Sequence, residues 1–267
     1  MRAVEVCWNK RLRLGLAVAA LQAFGACEPD LNVGEWRCAS TDRDATMSDE
    51  NAPIAAPWST GFEDQFCDYT EVGGFCYAEP QASYTTVTSP VHSGRFAAAF
   101  KVSAGDADGY QTRCVRQGVL PTAAYYGVWY FVPERAKNTA LWNLIHFQGG
   151  DSSADQHNLW DVSLVNGSDG ELAVVVFDAV NQVTRRPVKP TPIPIGEWFQ
   201  LELYLERAAD ATGKVALYQD GELLLEAANL VTDDSSWGQW YIGNLATKLA
   251  PSGSTLYVDD VTIRVAR

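Results

Sequence analysis

Apolar and polar residues alternate along most of this chain. The clearest instance is Ile195 to Ala227, IGEWFQLELYLERAADATGKVALYQDGELLLEA. Within Trp198–Glu206 the apolar Phe199, Leu201, Leu203 and Leu205 fall on one face. Trp198, Gln200, Glu202, Tyr204 and Glu206 fall on the other. A period of two predicts a half-buried antiparallel strand. Asp220-Gly221, between VALYQ and ELLLE, predicts a tight hairpin, because a two-residue connection of this type needs positive φ. Upstream, SYTTVTS, RFAAAFKV, YQTRCVRQ, YYGVWYFVP, LWNLIHFQ, LWDVSLV and ELAVVVFDA read as strands; WYIGNLA and TLYVDDVTIRV close the series. No segment sustains a helical period. Short alternating strands at hairpin spacing predict an all-β protein, a jelly-roll β-sandwich of two antiparallel sheets.

The first residues break this pattern. Lys10, Arg11 and Arg13 precede the apolar run LGLAVAALQAFGA, which ends at Cys27. A basic stretch, an apolar core of about a dozen residues and a small-residue boundary predict a secretory signal over 1–26, too short to span a bilayer. Phe24-Gly25-Ala26-Cys27 resembles a bacterial lipoprotein box, in which Cys27 would be acylated. Glu28 in place of Asp after the cysteine then implies the outer membrane or cell surface. Residues 27–58 are rich in Asp, Ala, Pro and Ser and are expected to be a tether, with the folded domain spanning 59–267.

Composition narrows the partners. The formal charge is −13, and the leader carries four Lys/Arg against one Glu, so the rest of the chain is more acidic still; this argues against a nucleic-acid partner. Nine Trp and eleven Tyr supply flat apolar rings in quantity. Cys38, Cys67, Cys76 and Cys114 form an even set in an exported protein and can pair in three ways. Gly73-Gly74 permits a turn that favours Cys67–Cys76, leaving Cys38–Cys114. There is no CxxC, and His92, His146 and His157 are scattered, so zinc is not indicated.

From about Gly61 to Val265 the sequence resembles the concanavalin A-like lectin/glucanase superfamily. GEWFQLELYLE…GKVALYQDGELLLE carries that likeness. GFED and YVDDVTIR resemble the first and last strands of calcium-containing carbohydrate-binding modules, which implies a structural Ca²⁺ held by Glu63 and Asp260. RCVR…YYGVWYFVP…LWNLIHFQGG resembles the middle of polysaccharide-lyase jelly rolls. Strict alternation puts Gln111, Arg113 and Gln117 on one face, and Trp142, Leu144, His146 and Gln148 on another, opposite Asn143. Together with Trp198, Gln200, Glu202 and Tyr204 these would line a concave sheet, with rings for the sugar's CH faces and amides for its hydroxyls.

Two departures matter. The lyases typically carry Gln-x-His where this chain has His146-Phe147-Gln148, and Arg113 and Arg116 face opposite ways. The late Tyr/Lys strand has a loose counterpart in WYIGNLATK, where Tyr241 and Lys248 stand far apart for one strand. The E-x-D-x-x-E carboxylate cluster of the glucanases is absent. The expectation is therefore a monomeric, membrane-anchored protein recognising a polysaccharide. The alternatives are a polysaccharide lyase using Arg113, His146 and Gln148, and a protein–protein adhesion module.

Overall fold

The Asp220-Gly221 hairpin forms as its dihedrals require, with φ of 50° at Asp220 and 83° at Gly221. It joins two strands of a two-sheet sandwich seen in a computed structural model, which describes residues 52–70, 74–103, 109–151, 155–233 and 235–267. All of these belong to the unit Ser40–Arg267. Cys27, Cys38 and the leader lie outside the described residues.

In chain order the elements are β1 (Trp58–Thr60), α1 (Cys67–Thr70), β2 (Phe75–Ala78), β3 (Ala82–Val87), β4 (Ala97–Val102) and β5 (Tyr110–Gly118). Next come β6 (Ala123–Phe131), β7 (Lys137–Gly150), β8 (Gln156–Asn166), β9 (Leu172–Asp178) and β10 (Val183–Arg185). The series ends with β11 (Trp198–Glu206), β12 (Gly213–Gln219), β13 (Glu222–Leu230), β14 (Trp237–Ala250) and β15 (Ser254–Arg264). The larger sheet runs β13-β12-β11-β6-β15-β4-β3, with β1 also on β15; the smaller runs β10-β9-β8-β7-β14-β5-β2. Among the described residues every pairing between these strands is antiparallel.

The core lies between the sheets. Phe199, Leu201, Leu203 and Leu205 of β11 are fully buried there, as the alternation predicts. The smaller sheet answers with Trp142, Phe147, Trp160 and Trp240. Tyr126 meets Phe147 edge-on at 4.9 Å, a favourable geometry for the ring quadrupoles. Two of the buried polar tips find partners: Trp160 Nε1 donates to the Thr232 carbonyl (3.1 Å) and Tyr130 Oη to that of Leu144 (2.9 Å).

The packed body begins before residue 59. Ile54 is buried, its N–H donates to the Val119 carbonyl at 2.8 Å, and Trp58 pairs with Ile263 in β1. The expected Cys67–Cys76 and Cys38–Cys114 pairing is corrected. Cys76 of β2 bonds Cys114, which lies directly opposite it in β5. Cys67 opens α1 and takes part in a different disulfide. β2 pairs with β5, and that register sets Cys76 against Cys114. By loop-closure entropy a crosslink over 38 residues stabilises the fold by about 3–4 kcal/mol.

Candidate active site

The outer face of the smaller sheet gathers polar side chains from five adjacent strands, β8, β7, β14, β5 and β2. β14 lies between β5 and β7, and its Tyr241 is opposite Val115 on one side and His146 on the other. Gln239 is likewise flanked by Gln117 and Gln148. Gly243 sits opposite Arg113. Having no side chain there, β14 lets the Arg113 guanidinium cross to β7, where Nη2 donates to Asn143 Oδ1 at 2.6 Å.

His146 is held from behind. Its Nδ1 is 2.7 Å from Asp161 Oδ1 on β8, and the same carboxylate accepts from Asn143 Nδ2 (2.7 Å) and Asn158 Nδ2 (2.9 Å). An ionised carboxylate only accepts, so Asp161 selects the tautomer with the proton on Nδ1 and leaves the Nε2 lone pair free. The Tyr241 ring stands edge-on to His146, with centroids 5.0 Å apart. Tyr241 Oη meets Gln148 Oε1 at 2.9 Å and also contacts Gln239 Oε1. Further along, Gln239 Nε2 donates to Gln117 Oε1 (3.0 Å), and Tyr77 Oη to Gln111 Oε1 (3.0 Å).

Burial sets the electrostatics. It pushes the Tyr241 phenol well above the ordinary tyrosine value, with Tyr77 adding to the shift and Arg113 opposing it. Burial likewise lifts Tyr77 to about 12. Arg113 is 2% exposed, and burial lowers its pKa against the pull of Tyr77 and Asp161. Its Nε and Nη1 have no hydrogen-bond partner among the described residues. Arg113 therefore acts as a buried positive charge, with little surface on which to clamp a ligand directly.

Of the predicted groove residues, Gln111, Arg113, Gln117, His146 and Gln148 do come together. Trp142 does not: it is fully buried and donates to Asn244 Oδ1 at 3.2 Å. The register shift of β7 between Asn143 and Ile145 sends both Leu144 and Ile145 into the core. Alternation restarts there, so Trp142 turns inward and Asn143 joins His146. A second shift, in β8 opposite Phe147/Gln148, buries Leu159 and Trp160 together and sets Asn158 beside Asp161.

Trp198, Gln200, Glu202 and Tyr204 are corrected more fully. They lie on β11 of the larger sheet, facing away from the core, on the other side of the sandwich from His146. Glu202 is buried under ion pairs with Arg264 and Arg267, a C-terminal clamp with no free carboxylate. Arg116 points inward from β5, its guanidinium 4.5 Å from the Trp58 ring.

The residues proposed for calcium, Glu63 and Asp260, hold the loop of residues 92–96. Glu63 Oε1 accepts from the N–H groups of Arg95 (2.8 Å) and Phe96 (3.1 Å). Asp260 takes Ser93 Oγ on one oxygen and His92 Nδ1 on the other. A register shift between Asp259 and Thr262 brings Asp259 to the same loop, where Oδ2 accepts from the N–H of His92 and of Ser93. These carboxylates bind a loop rather than each other. Among the described residues no three His, Cys, Asp or Glu side chains converge as a metal cage would need.

Asn143, Asp161 and Tyr241 are the residues that alternation alone does not find. Tyr241 carries a signal in the sequence, since it sits mid-strand in WYIGNLA, but its strand neighbours become visible only in the sheet order.

No family model matches the chain, and no curated relative matches it in sequence. Solved structures do match in fold. An endo-β-1,4-glucuronan lyase from the fungus Trichoderma reesei superposes with a TM-score of 0.56 at 18% identity, covering 72% of this chain and 90% of that one. The cellulose-induced protein Cip1 gives 0.56 at 12%, covering 79% and 98%. A PL-14 alginate lyase from Aplysia kurodai gives 0.52 at 12%, covering 78% and 98%. At these identities the likeness establishes the fold, a polysaccharide-lyase-like jelly roll.

Proposed function

We propose that this protein is a polysaccharide lyase that cleaves a uronic-acid-containing glycan by β-elimination on the outer face of the smaller sheet. One observation carries the reading. A histidine whose Nε2 has no hydrogen-bond partner among the described residues, a phenol kept protonated and a buried arginine lie side by side on β7, β14 and β5. Sugar recognition alone would call for exposed rings, yet Trp142 is in the core and Trp198 is on the other sheet.

The chemistry follows from these positions. His146 Nε2 takes the proton from C5 of the uronate. The C5–H electrons form the C4=C5 bond, the C4–O4 bond breaks, and Tyr241 Oη–H protonates the leaving O4. Negative charge building on the C5 carboxylate is met by Gln148 Nε2, which has no protein partner among the described residues, and by the nearby charge of Arg113. Asp161 holds the imidazole ring in place as the proton arrives. Incubation with glucuronan and with alginate should raise the ultraviolet absorbance of the unsaturated uronate product. A flat trace on both polymers, with binding retained in a gel-shift on either, would return the site to recognition alone.

We also propose that the protein works at the outer membrane, held by acylated Cys27. The basic leader, the apolar core and the cysteine at its end support this. Cys27→Ser should move the protein from the membrane fraction to the soluble one; an unchanged membrane fraction would exclude the anchor.

A further inference from the structure

The larger sheet has a feature of its own. At one end, a cavity of about 560 Å³ opens between the β6–β7 connection, the β14–β15 turn and the ends of β4 and β15. Lys101, Thr255 and Tyr257 line it from the sheet, and Ser252, Glu134 and Arg135 from the loops. Lys101 is opposite Thr255 in register, and both face outward, because Phe100 and Leu256 beside them are buried in the core.

Two charged groups of the cavity, Lys101 and Glu134, have no ion-pair partner among the described residues. Arg135 is paired with Glu171 through two hydrogen bonds of 2.6 and 2.7 Å. Glu134 is exposed, and Lys101 is exposed with no ion-pair or hydrogen-bond partner among the described residues. An unpaired ammonium in a chain of net charge −13 is a local exception to the field around it.

A row of rings leads away from this cavity across the sheet. Tyr257 of β15, Phe131 of β6 and Trp198 of β11 lie opposite one another in register. Their centroids are 5.8 Å (Tyr257–Phe131) and 5.5 Å (Phe131–Trp198) apart, and all three are half-buried. Tyr257 stands edge-on to Phe131 (78°) and Phe131 is tilted against Trp198 (59°), so the three half-buried rings form one aromatic strip at strand spacing, against which the apolar CH groups of a sugar chain can rest. Hydroxyls and a cation at one end supply what a sugar acid needs: donors for its oxygens and a countercharge for its carboxylate.

We infer that this strip is a second, non-catalytic binding site for a polyuronate chain, with Lys101 taking a carboxylate and Tyr257, Phe131 and Trp198 taking sugar faces. It lies on the sheet opposite the His146 cluster, so it holds polymer without occupying the reacting site. The identity of the ligand as a polyuronate rests on the function proposed above; the position and composition of the strip do not.

The test uses the full chain carrying His146→Ala, so that bound polymer is not cut. In native gels cast with alginate or with glucuronan, this protein should be retarded. Adding Lys101→Ala and Tyr257→Ala should weaken binding about tenfold, the combined effect of one charge and one ring. In the otherwise unmodified protein the same two substitutions should leave turnover of a uronate tetrasaccharide unchanged and slow turnover of the long polymer. Circular dichroism confirms that the variants fold, which exposed Lys101 and half-buried Tyr257 should permit. Retardation that ignores both substitutions overturns the second site. Retardation that depends on them, from a protein that makes no unsaturated product, keeps this site and removes the lyase reading. Equal retardation in a neutral glucan gel overturns the role given to Lys101.

Discussion

His146→Ala should lower kcat/KM on the uronate polymer by about 10²–10⁴-fold, the usual contribution of a positioned general base. The loss should fall on kcat, because His146 Nε2 meets the substrate through the proton it removes, while the sugar is held by neighbouring amides. Tyr241→Phe should act in the same way, since it removes the acid and keeps the ring that packs edge-on to His146. The direction of the Tyr241 shift adds a check. Burial keeps the phenol protonated beyond the ordinary tyrosine range, so the basic limb of kcat/KM should lie above it. Asp161→Asn separates positioning from chemistry. Asparagine can still contact Nδ1, but its amide no longer selects one tautomer, so kcat should drop about 10–100-fold with KM nearly unchanged. A His146→Ala enzyme that still eliminates at the original rate would assign the base to another group.

Strand β11 and the His146–Gln148 pair are legible in the sequence for the same reason: neither stretch contains an extra residue, so a period of two carries through each of them. The hairpin is legible from its Asp220-Gly221 turn instead, since β13 carries extra residues at Leu224 and Asn229. Where β7 inserts Leu144, the period fails by one position, and the face containing Trp142 exchanges with the face containing Asn143. The same event at Leu159 hides Asn158; Asp161 lies on the unbroken alternation Trp160–Leu164, but its place beside His146 comes from the pairing of β8 with β7. Sheet membership was hidden for another reason. Alternation says which side of a strand is dry, but not which of two sheets the strand joins. Trp198, Gln200, Glu202 and Tyr204 were therefore correctly placed on an outward face and assigned to the wrong side of the sandwich. Glu202 shows how a strand-face carboxylate can be consumed from far along the chain, by Arg264 and Arg267. The strand carrying Tyr241 was visible as a strand; that it runs between Arg113 and His146 is a property of the sheet order alone.

Arg113→Met should make the protein more stable and nearly inactive. The guanidinium is 2% exposed and makes one hydrogen bond, to Asn143, while its Nε and Nη1 have no partner among the described residues. Desolvation is the leading cause of its lowered pKa, so the fold carries part of the cost of keeping that charge dry. Methionine fills much of the same volume without a charge or an unpaired donor. Against this gain stands the charge-assisted bond to buried Asn143 Oδ1, worth about 1.5–3 kcal/mol. Buried charges replaced by apolar isosteres gain about 1–4 kcal/mol, so the net should be a small stabilisation of about 1 kcal/mol. In a domain of this size each kcal/mol raises the melting temperature by about 2–4 °C. Activity should move the other way. The charge sits beside Tyr241 and Asp161 in a low-dielectric site, and removing such a group costs about 10²–10³ in kcat. Thermal melts and initial rates on the same purified variant test both halves. A destabilised Arg113→Met would mean that the guanidinium serves the fold. A stabilised and fully active one would remove Arg113 from the reaction and leave His146 and Tyr241 to carry it.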